Sequence, residues 1–270
     1  MAQKNRQSQP LLSLIIPSYK QEKTIVKDVQ KIKKTMDTIK KPYEMIVVID
    51  GKLDSTESML KNAKIPHVKI VGYENNHGKG YAVRYGMANA KGDRIAFLDA
   101  GMDLNPEGLA LLLNQMEWNK ADIVIGSKLH PLSRVKYPWQ RKILSWGYRS
   151  IVKMMFGLSI SDTQVGLKVF RRKVLEDVLP RLLVKRYAFD IEILSVAYHL
   201  GYKKIIEAPV ELTFNSWSSI TSTNFIKTIG KMLWDTVAVF YRLRILHYYD
   251  DASRRKWRYD PELNFRVNIG

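Results

Sequence analysis

Residues Ile95 to Glu107 read IAFLDAGMDLNPE, and this stretch decides the fold class. An apolar run follows the breaker Gly92 and gives way to an Asn-Pro pair, which is the pattern of a buried parallel strand and the loop that leaves it. Two carboxylates, Asp99 and Asp103, come directly after the strand. In open α/β sheets ligands bind outside the carboxyl ends of the strands, and carboxylate oxygens there suit a divalent cation that carries phosphates. The stretch therefore predicts an α/β protein with a ligand site at this edge.

Strand and helix signals alternate along the rest of the chain. Short apolar runs that end at polar or glycine residues predict strands at 11–17, 44–49, 67–72, 121–125, 165–170 and 205–212. Other stretches predict helices at 24–39, 106–118, 143–156, 190–200 and 224–241. A further helix is predicted after residue 55, because Asp54 or Ser55 can cap its N-terminus. Such alternation is typical of a mainly parallel sheet flanked by crossover helices.

The chain is strongly basic, and the larger part of the excess lies in its second half. Lys and Arg total 44 against 26 Asp and Glu in 270 residues, and residues 127–186 hold 14 basic and 3 acidic residues. A basic surface attracts nucleic acid, anionic lipid headgroups or phosphorylated substrates. No recognition helix or RNA-binding signature occurs, so we do not expect nucleic acid as a partner. The absence of cysteine excludes disulfides, thiolate metal sites and a Cys nucleophile.

The chain divides into three expected regions. Residues 1–10 are polar, lack a secretory signal and predict a flexible N-terminus on a cytoplasmic protein. Residues 11–222 form the main domain, and 223–270 form a basic, amphipathic segment for membrane association or oligomerisation. The most apolar window, 232–249, is interrupted by charges and is not expected to span a membrane. The charged stretch after residue 250 is expected at the periphery.

The 223–270 segment begins with an amphipathic helix. Its predicted apolar face consists of Phe225, Ile229, Met232, Leu233, Val237, Phe240 and Tyr241. Basic residues at other positions would let the helix lie among lipid headgroups. Packing of the same face on the main domain or on a second subunit is an equal alternative.

Acidic or polar residues follow three predicted strands: 17–22 (PSYKQE), Asp50 with Gly51, and 99–103. One Asp after a strand is commonly a turn or cap residue. Three such ends meet along one edge of an α/β sheet, where they can hold a base, a ribose and a metal-bound diphosphate. The segment 75–80, NNHGKG, adds Lys79 between two glycines, which allow the backbone to approach a phosphate. It is not a Walker motif, and an ordinary loop before a helix explains it equally well.

Together these segments carry a family resemblance. IIPSYKQE (15–22), VVIDGKLDST (47–56), NNHGKG and FLDAGMD (97–103), in this order, resemble the nucleotide-binding half of family 2 glycosyltransferases. GSK (126–128), SDTQVGLKVFRR (161–172) and FDIEIL (189–194) resemble its polyprenyl-phosphate branch, the dolichyl-phosphate mannose and glucose synthases. The resemblance covers roughly residues 11–222. It implies the Rossmann-like GT-A fold, a mixed, mainly parallel sheet flanked by helices, followed here by the amphipathic helical extension.

The resemblance implies roles for residues of the donor side. Pro17, Tyr19 and Glu22 would line the nucleoside pocket, Asp50 would face the base or ribose, and Lys79 would lie near the diphosphate.

The resemblance also implies a metal site. Asp99 and Asp103 would bind Mg²⁺ or Mn²⁺, at the first and last positions of the family's acidic motif. Gly101 replaces the central Asp of that motif. Either Asp103 takes over its role, or metal binding is weaker than in the family.

On the acceptor side, Lys128, Arg141 and Ser145 resemble groups that hold a lipid phosphate, with solvated surface charge as the alternative for the two cations. Asp162 and Gln164 resemble residues that organise the site around the transferred sugar. With Asp99 and Asp103 they form the catalytic candidates.

Two further carboxylates have a structural interpretation. Asp190 and Glu192 are expected to form salt bridges with Lys185 or Arg186.

The implied reaction is an inverting transfer to a polyprenyl (dolichyl) phosphate at the cytoplasmic face of a membrane, by a peripheral protein. Such lipid-linked sugars serve protein glycosylation or cell-envelope glycans. The acceptor oxygen is already anionic, so no strong general base is needed. GDP-mannose, UDP-glucose and UDP-N-acetylglucosamine all fit as donors. Two alternatives keep the fold: a soluble phosphorylated or sugar acceptor, and a noncatalytic protein that binds nucleotide sugars. A homo-oligomer is compatible with each.

Overall fold

A computed structural model of the chain describes residues 11–101, 104–135, 139–186, 188–212, 225–251, 257–263 and 265–268; of these, the side chains of 139–145, 225–229 and 268 are not described. The described strands are β1 (Leu12–Ser18), β2 (Tyr43–Asp50), β3 (Val68–Tyr73), β4 (Arg94–Leu98), β5 (Ile123–Ser127), β6 (Leu167–Arg171), β7 (Ile205–Pro209), β8 (Trp257–Asp260) and β9 (Phe265–Asn268). The described helices are α1 (Ile25–Thr38), α2 (Thr56–Ala63), α3 (Lys79–Ala88), α4 (Gly108–Trp118), α5 (Trp139–Phe156), α6 (Arg172–Val178), α7 (Phe189–His199) and α8 (Phe225–Arg244), with a short 3-10 helix at Leu179–Arg181.

Seven strands form one twisted sheet in the order β3-β2-β1-β4-β6-β5-β7. β3, β2, β1 and β4 run parallel, β6 is antiparallel to both of its neighbours, and β7 is parallel to β5. Every residue of β1 is buried, because helices cover both faces of the sheet. The predicted mixed, mainly parallel sheet flanked by helices is confirmed.

The sheet topology creates a crevice at one edge. β1 lies between β2 and β4, so the strand order reverses there, and in such sheets ligands bind outside the carboxyl ends at this point. The antiparallel pairing of β4 with β6, in which Leu98 faces Leu167, brings the start of β6 to the end of β4. The end of β5 lies at the same edge. The segments singled out in the sequence therefore converge.

Most described residues after Asp250 are exposed, as expected of a peripheral stretch, but a few are buried. β8 and β9 form an antiparallel hairpin whose Leu263 is buried in the core. Tyr249 is also fully buried, and its hydroxyl donates a hydrogen bond to Glu192. Charged and apolar residues alternate in this stretch, so the sequence did not indicate which few side chains face inward. The predicted boundary at 222/223 falls among residues outside the described part.

α8 packs on α5 rather than presenting one intact apolar face. The Tyr148 hydroxyl lies 3.2 Å from Thr236 Oγ1, and the rings of Phe156 and Phe240 meet edge to face with centroids 6.0 Å apart. Thr236, Val239 and Leu243 are buried, whereas Trp234, Val237 and Tyr241 are exposed. The buried side of α8 is therefore not the predicted face, whose described side chains are half-buried (Met232, Leu233, Phe240) or exposed (Val237, Tyr241). None of the described helices combines the length and apolarity that a transmembrane span requires.

Candidate functional site

A cavity of about 480 Å³ lies at the carboxyl ends of β1, β2 and β4. Five residues singled out in the sequence line it together: Pro17, Tyr19, Asp50, Lys79 and Asp99. They come from three strand ends and from the first residue of α3, which the fold gathers on one edge.

Asp50 organises the loop before α3. Its buried carboxylate accepts hydrogen bonds from the Tyr73 hydroxyl (2.9 Å), Asn76 Nδ2 (2.8 Å), His77 N (2.8 Å) and Gly78 N (3.0 Å). Four donors therefore occupy both of its oxygens. The Asp50 side chain shapes the cavity wall mainly by holding residues 76–78 in place.

Glu22 ties the turn after β1 to the start of α2. Its Oε2 accepts a hydrogen bond from Ser55 N at 3.0 Å, and its own N–H donates to Asp54 Oδ2 at 3.2 Å. Glu22 is not among the residues that line the cavity. In this structure it supports the segment that carries Pro17 and Tyr19.

Lys79 and Asp99 form an ion pair across the cavity, with 2.8 Å between Nζ and Oδ2. Burial alone would lower the pKa of Lys79, but the Asp99 and Asp190 carboxylates outweigh this and raise it to about 12. Lys79 is therefore a permanent cation. Asp99 Oδ1 is buried and has no hydrogen-bond partner among the described residues, which leaves it available to a ligand.

Asp99 supplies one oxygen atom that suits the predicted metal site. A free carboxylate oxygen is the ligand type that Mg²⁺ and Mn²⁺ prefer, so Asp99 Oδ1 fits that role. Asp103 lies outside the described residues. Within the described ranges no group of three His, Asp or Glu residues is placed to hold a metal ion.

The segment before β6 lies beside Asp99. The Asp99 N–H donates to the Gly166 carbonyl at 3.0 Å. Asp162 Oδ2 accepts a hydrogen bond from Lys128 N at 3.0 Å and lies 3.6 Å from Lys128 Nζ. Gln164 Nε2 is buried without a hydrogen-bond partner in the described structure. The loop that carries Asp162 and Gln164 thus meets Asp99 through Gly166, although neither residue lines the cavity.

Glu207 of β7 holds the segment before β6 in place through hydrogen bonds to its backbone. Its Oε1 accepts hydrogen bonds from Ser161 N at 3.0 Å and from Asp162 N at 3.2 Å. Arg141 and Ser145 belong to the first turns of α5, and their side chains are not described. Their role at an acceptor phosphate stays a prediction.

The expected salt bridges of Asp190 and Glu192 are wrong. Asp190 pairs with Lys168, which is fully buried, and Glu192 accepts hydrogen bonds from the backbone of Leu183 and Val184. Burial lowers the pKa of Lys168 against the opposing effect of Asp190, and burial raises the pKa of Glu192. Both carboxylates point into the interior, whereas Lys185 and Arg186 stand exposed on the loop before α7.

Sequence reasoning missed four polar residues that line the cavity: Ser18, Gln21, Asn76 and Arg186. The first three lie within PSYKQE and NNHGKG, so the same motifs contain the signal that could have found them. Arg186 lies in no motif singled out in the sequence. The fold brings it to the cavity from the loop before α7.

The sequence of the chain is similar to those of known glycosyltransferases. The sequence profile of the family described as "Glycosyl transferase family 2" matches residues 13–179. A protein named dolichyl-phosphate beta-glucosyltransferase from Drosophila melanogaster is 34% identical over 205 residues, which cover 70% of this chain and 63% of that protein. Its namesake from Homo sapiens is 28% identical over 251 residues, which cover 87% of this chain and 76% of that protein. The chain thus spans less than two thirds of the fly protein's length.

Solved structures show the same fold at low identity. Glucosyl-3-phosphoglycerate synthase from Mycobacterium tuberculosis, in complex with UDP, superposes with a TM-score of 0.64 at 16% identity, covering 96% of this chain and 87% of that chain. Another structure of that enzyme, with Mn²⁺, UDP and glucosyl-3-phosphoglycerate, gives a TM-score of 0.61 at 16% identity and covers 96% and 86% of the two chains.

Proposed function

The chain belongs to glycosyltransferase family 2, and we propose that it transfers a hexose from a nucleotide sugar to a polyprenyl (dolichyl) phosphate. Glucose is the first candidate for the hexose. The observation that carries the proposal is the cavity at the reversal of strand order, where Tyr19, Lys79 and Asp99 meet. The relatives named dolichyl-phosphate beta-glucosyltransferase support this acceptor and sugar.

The cavity suits a nucleoside diphosphate sugar. Pro17 and the half-exposed Tyr19 ring offer an apolar surface to the nucleoside, while the loop held by Asp50 offers a fixed wall. Lys79 supplies a permanent positive charge beside the diphosphate. Asp99 fixes the direction of that ammonium group through its Oδ2 atom.

The reaction is a direct displacement. A lone pair of an anionic acceptor phosphate oxygen forms a bond to the anomeric carbon, and the bond from that carbon to the β-phosphate oxygen breaks. The electron pair of the broken bond stays on that oxygen, so the nucleoside diphosphate leaves with an added negative charge. An α-linked donor therefore gives a β-linked product. The protein contributes by holding both phosphorylated molecules in line and by offsetting the leaving charge.

A divalent cation fits the donor side. Asp99, through its unpaired Oδ1, and Asp103 would hold Mg²⁺ or Mn²⁺, which would supply further charge to the diphosphate. The Mn²⁺-bound glucosyl-3-phosphoglycerate synthase shows such an ion in a protein of the same fold. Gly101 leaves this chain with one carboxylate fewer than the family motif.

The acceptor phosphate would be held by Lys128, Arg141 and Ser145 beside the segment that carries Asp162. Lys128 is held near the site by its contacts with the Asp162 carboxylate. Residues 127–186, with 14 basic and 3 acidic residues, give this side a positive potential for an anionic lipid headgroup.

The surface formed by α5 and α8 suits a membrane. Trp146 and Met154 on α5 and Trp234 and Tyr241 on α8 are large apolar side chains that are mostly exposed. Exposed basic residues flank them, including Lys231, and each contributes about 1 kcal/mol near an anionic bilayer. We expect a peripheral protein on the cytoplasmic face, held by this surface.

The experiment that tests the function is transfer of radiolabelled sugar into an organic-extractable lipid. Short polyprenyl and dolichyl phosphates are offered with labelled UDP-glucose, GDP-mannose and UDP-N-acetylglucosamine, in EDTA and then with added Mg²⁺ or Mn²⁺. Label in the lipid phase from one donor is the expected result. Transfer only to soluble phosphorylated acceptors, or tight nucleotide binding without any turnover, would replace the proposal with the corresponding alternative.

Vesicle flotation tests the membrane surface. Trp234→Ser should reduce flotation with anionic vesicles, whereas Trp118→Ser, which alters an equally exposed tryptophan on α4, should not. Equal flotation of both variants would reject the α5 and α8 surface. A change from dimer to monomer in Trp234→Ser, measured by sedimentation, would assign the surface to a second copy of the chain.

A further inference from the structure

Arg186 is a cation of the donor cavity that no described carboxylate neutralises. Among the described residues, two basic side chains line the cavity, Lys79 and Arg186, and Lys79 already pairs with Asp99. Arg186 is exposed and takes part in no salt bridge among the described residues. The nearby acidic residues Asp190 and Glu192 are engaged in the interior.

We propose that Arg186 binds the diphosphate of the nucleotide donor and offsets the charge that develops on the leaving nucleoside diphosphate. This inference rests on the proposed function and adds a substrate-contacting residue from a part of the chain outside the nucleotide-binding motifs.

The fold positions Arg186 through close backbone packing against the loop before α3. Gly78 has φ +100°, and a Cβ there would lie 2.8 Å from the Lys185 carbonyl oxygen and 2.9 Å from Arg186 Cγ. The base of the Arg186 side chain therefore rests against a bare backbone, one residue before Lys79. A larger residue at 78 would push the two loops apart.

Hydrogen bonds hold the backbone around Arg186 on both sides. Tyr81 N donates to the Lys185 carbonyl at 3.1 Å, and Phe189 N donates to the Arg186 carbonyl at 3.1 Å. The first bond joins the loop to α3 and the second joins it to α7. The backbone is thus fixed, while the guanidinium group, which pairs with none of the described residues, can meet a ligand in the cavity.

The charges of the cavity wall favour this assignment. The ammonium of Lys79 is offset by Asp99, and Asp50 adds a further carboxylate to the wall. A diphosphate entering this cavity therefore needs an additional cation. A guanidinium group donates two parallel hydrogen bonds to phosphate oxygens and stays charged at every working pH.

The test compares the binding of nucleoside diphosphates and monophosphates by isothermal titration calorimetry. UDP, GDP, UMP and GMP are titrated into the wild-type protein and into Arg186→Gln, Arg186→Lys and Lys185→Gln. Lys185→Gln is the matched control, because it removes the same charge from the adjacent residue, whose side chain lies over the Tyr81 ring and does not line the cavity. Melting curves verify that each variant is folded.

We expect Arg186→Gln to weaken binding of the preferred diphosphate by about 10-fold or more, the scale of a hydrogen bond to a charged group. The loss should be smaller for the monophosphate, which carries less charge, and Arg186→Lys should fall between wild type and Arg186→Gln. Lys185→Gln should bind like the wild type. With the transfer assay, Arg186→Gln should also lower kcat, because the leaving group gains charge in the transition state.

Several results would overturn the inference. Equal losses in Arg186→Gln and Lys185→Gln would indicate a general effect of net charge, and unchanged diphosphate binding in Arg186→Gln would show that the residue does not contact the ligand. In both cases the proposed function stands, because the titration involves no lipid acceptor. A wild-type protein that binds neither UDP nor GDP would overturn the inference and the proposed function together.

Discussion

Gly166→Ala should displace the Asp99 carboxylate without otherwise altering the fold. A Cβ at position 166 would lie 2.0 Å from Asp99 Oδ2 and 2.5 Å from Asp99 Cγ. The backbone of Gly166 does not have a positive φ, so alanine can adopt the same conformation. The substitution therefore acts through this one contact.

The size of the displacement follows from the contact distance. An ordinary contact of a Cβ begins at 3.4 Å, so the carboxylate oxygen must move away by about 1.4 Å. Such a shift also breaks the 2.8 Å ion pair between Asp99 and Lys79. Misplacement of a catalytic group by about 1 Å can reduce a rate by roughly 100-fold, and we expect a loss in kcat of at least this order.

The assay is the initial rate of sugar transfer to polyprenyl phosphate at saturating donor. Gly108→Ala is the matched control, because its Cβ would lie 3.4 Å from Leu167 Cδ2, an ordinary contact. Both variants should show the wild-type circular dichroism spectrum and a cooperative melting transition. A folded Gly166→Ala protein with kcat near the wild-type value would refute the reasoning, since the position of Asp99 would then not matter for transfer.

Three further predictions concern charged groups around the cavity. Asp50→Asn should leave partly buried N–H donors of the 76–78 loop without an acceptor and lower the free energy of unfolding by about 1–3 kcal/mol in urea denaturation. Lys168→Met should cost about 3–5 kcal/mol in the same measurement by stranding the Asp190 carboxylate, and Lys168→Met with Asp190→Leu should recover most of that loss. Since the pKa of Lys79 rises from 10.5 to about 12, its ion pair should stabilise the protein fully below pH 10.5, and that contribution should disappear as the pH approaches 12. Lys79→Met should lack this part of the alkaline fall in melting temperature; identical wild-type and variant profiles would contradict the assignment.

Buried strands were the most predictable part of the fold. β1, β2 and β4 are continuous apolar runs that end in polar or glycine residues, and the structure places a strand at each of them. α3 has no apolar stripe, since residues such as Arg84 are buried along with their apolar neighbours on nearly all its sides. A helix of this kind shows no 3.6-residue periodicity, and the sequence analysis did not predict it. Only the alternative interpretation of NNHGKG, as an ordinary loop before a helix, pointed to it.

The candidate site was predictable where its residues follow strand ends. Tyr19, Asp50 and Asp99 meet because the carboxyl ends of neighbouring parallel strands share one edge. Pairings between distant elements were not predictable in this way. Lys168 reaches Asp190 only because β6 and α7 face each other in the interior. The predicted partners, Lys185 and Arg186, were wrong because they were chosen for their nearness to Asp190 in the sequence.

Charged side chains also form a series of contacts from the cavity to the segment before β6. Opposite charges alternate along one series: Asp99, Lys79, Asp190, Lys168, Asp162 and Lys128. Its first members line the donor cavity, and its last member is the candidate for the acceptor phosphate. Each charge in the series is offset by a neighbour of opposite sign, which explains how a fully buried Lys168 is accommodated.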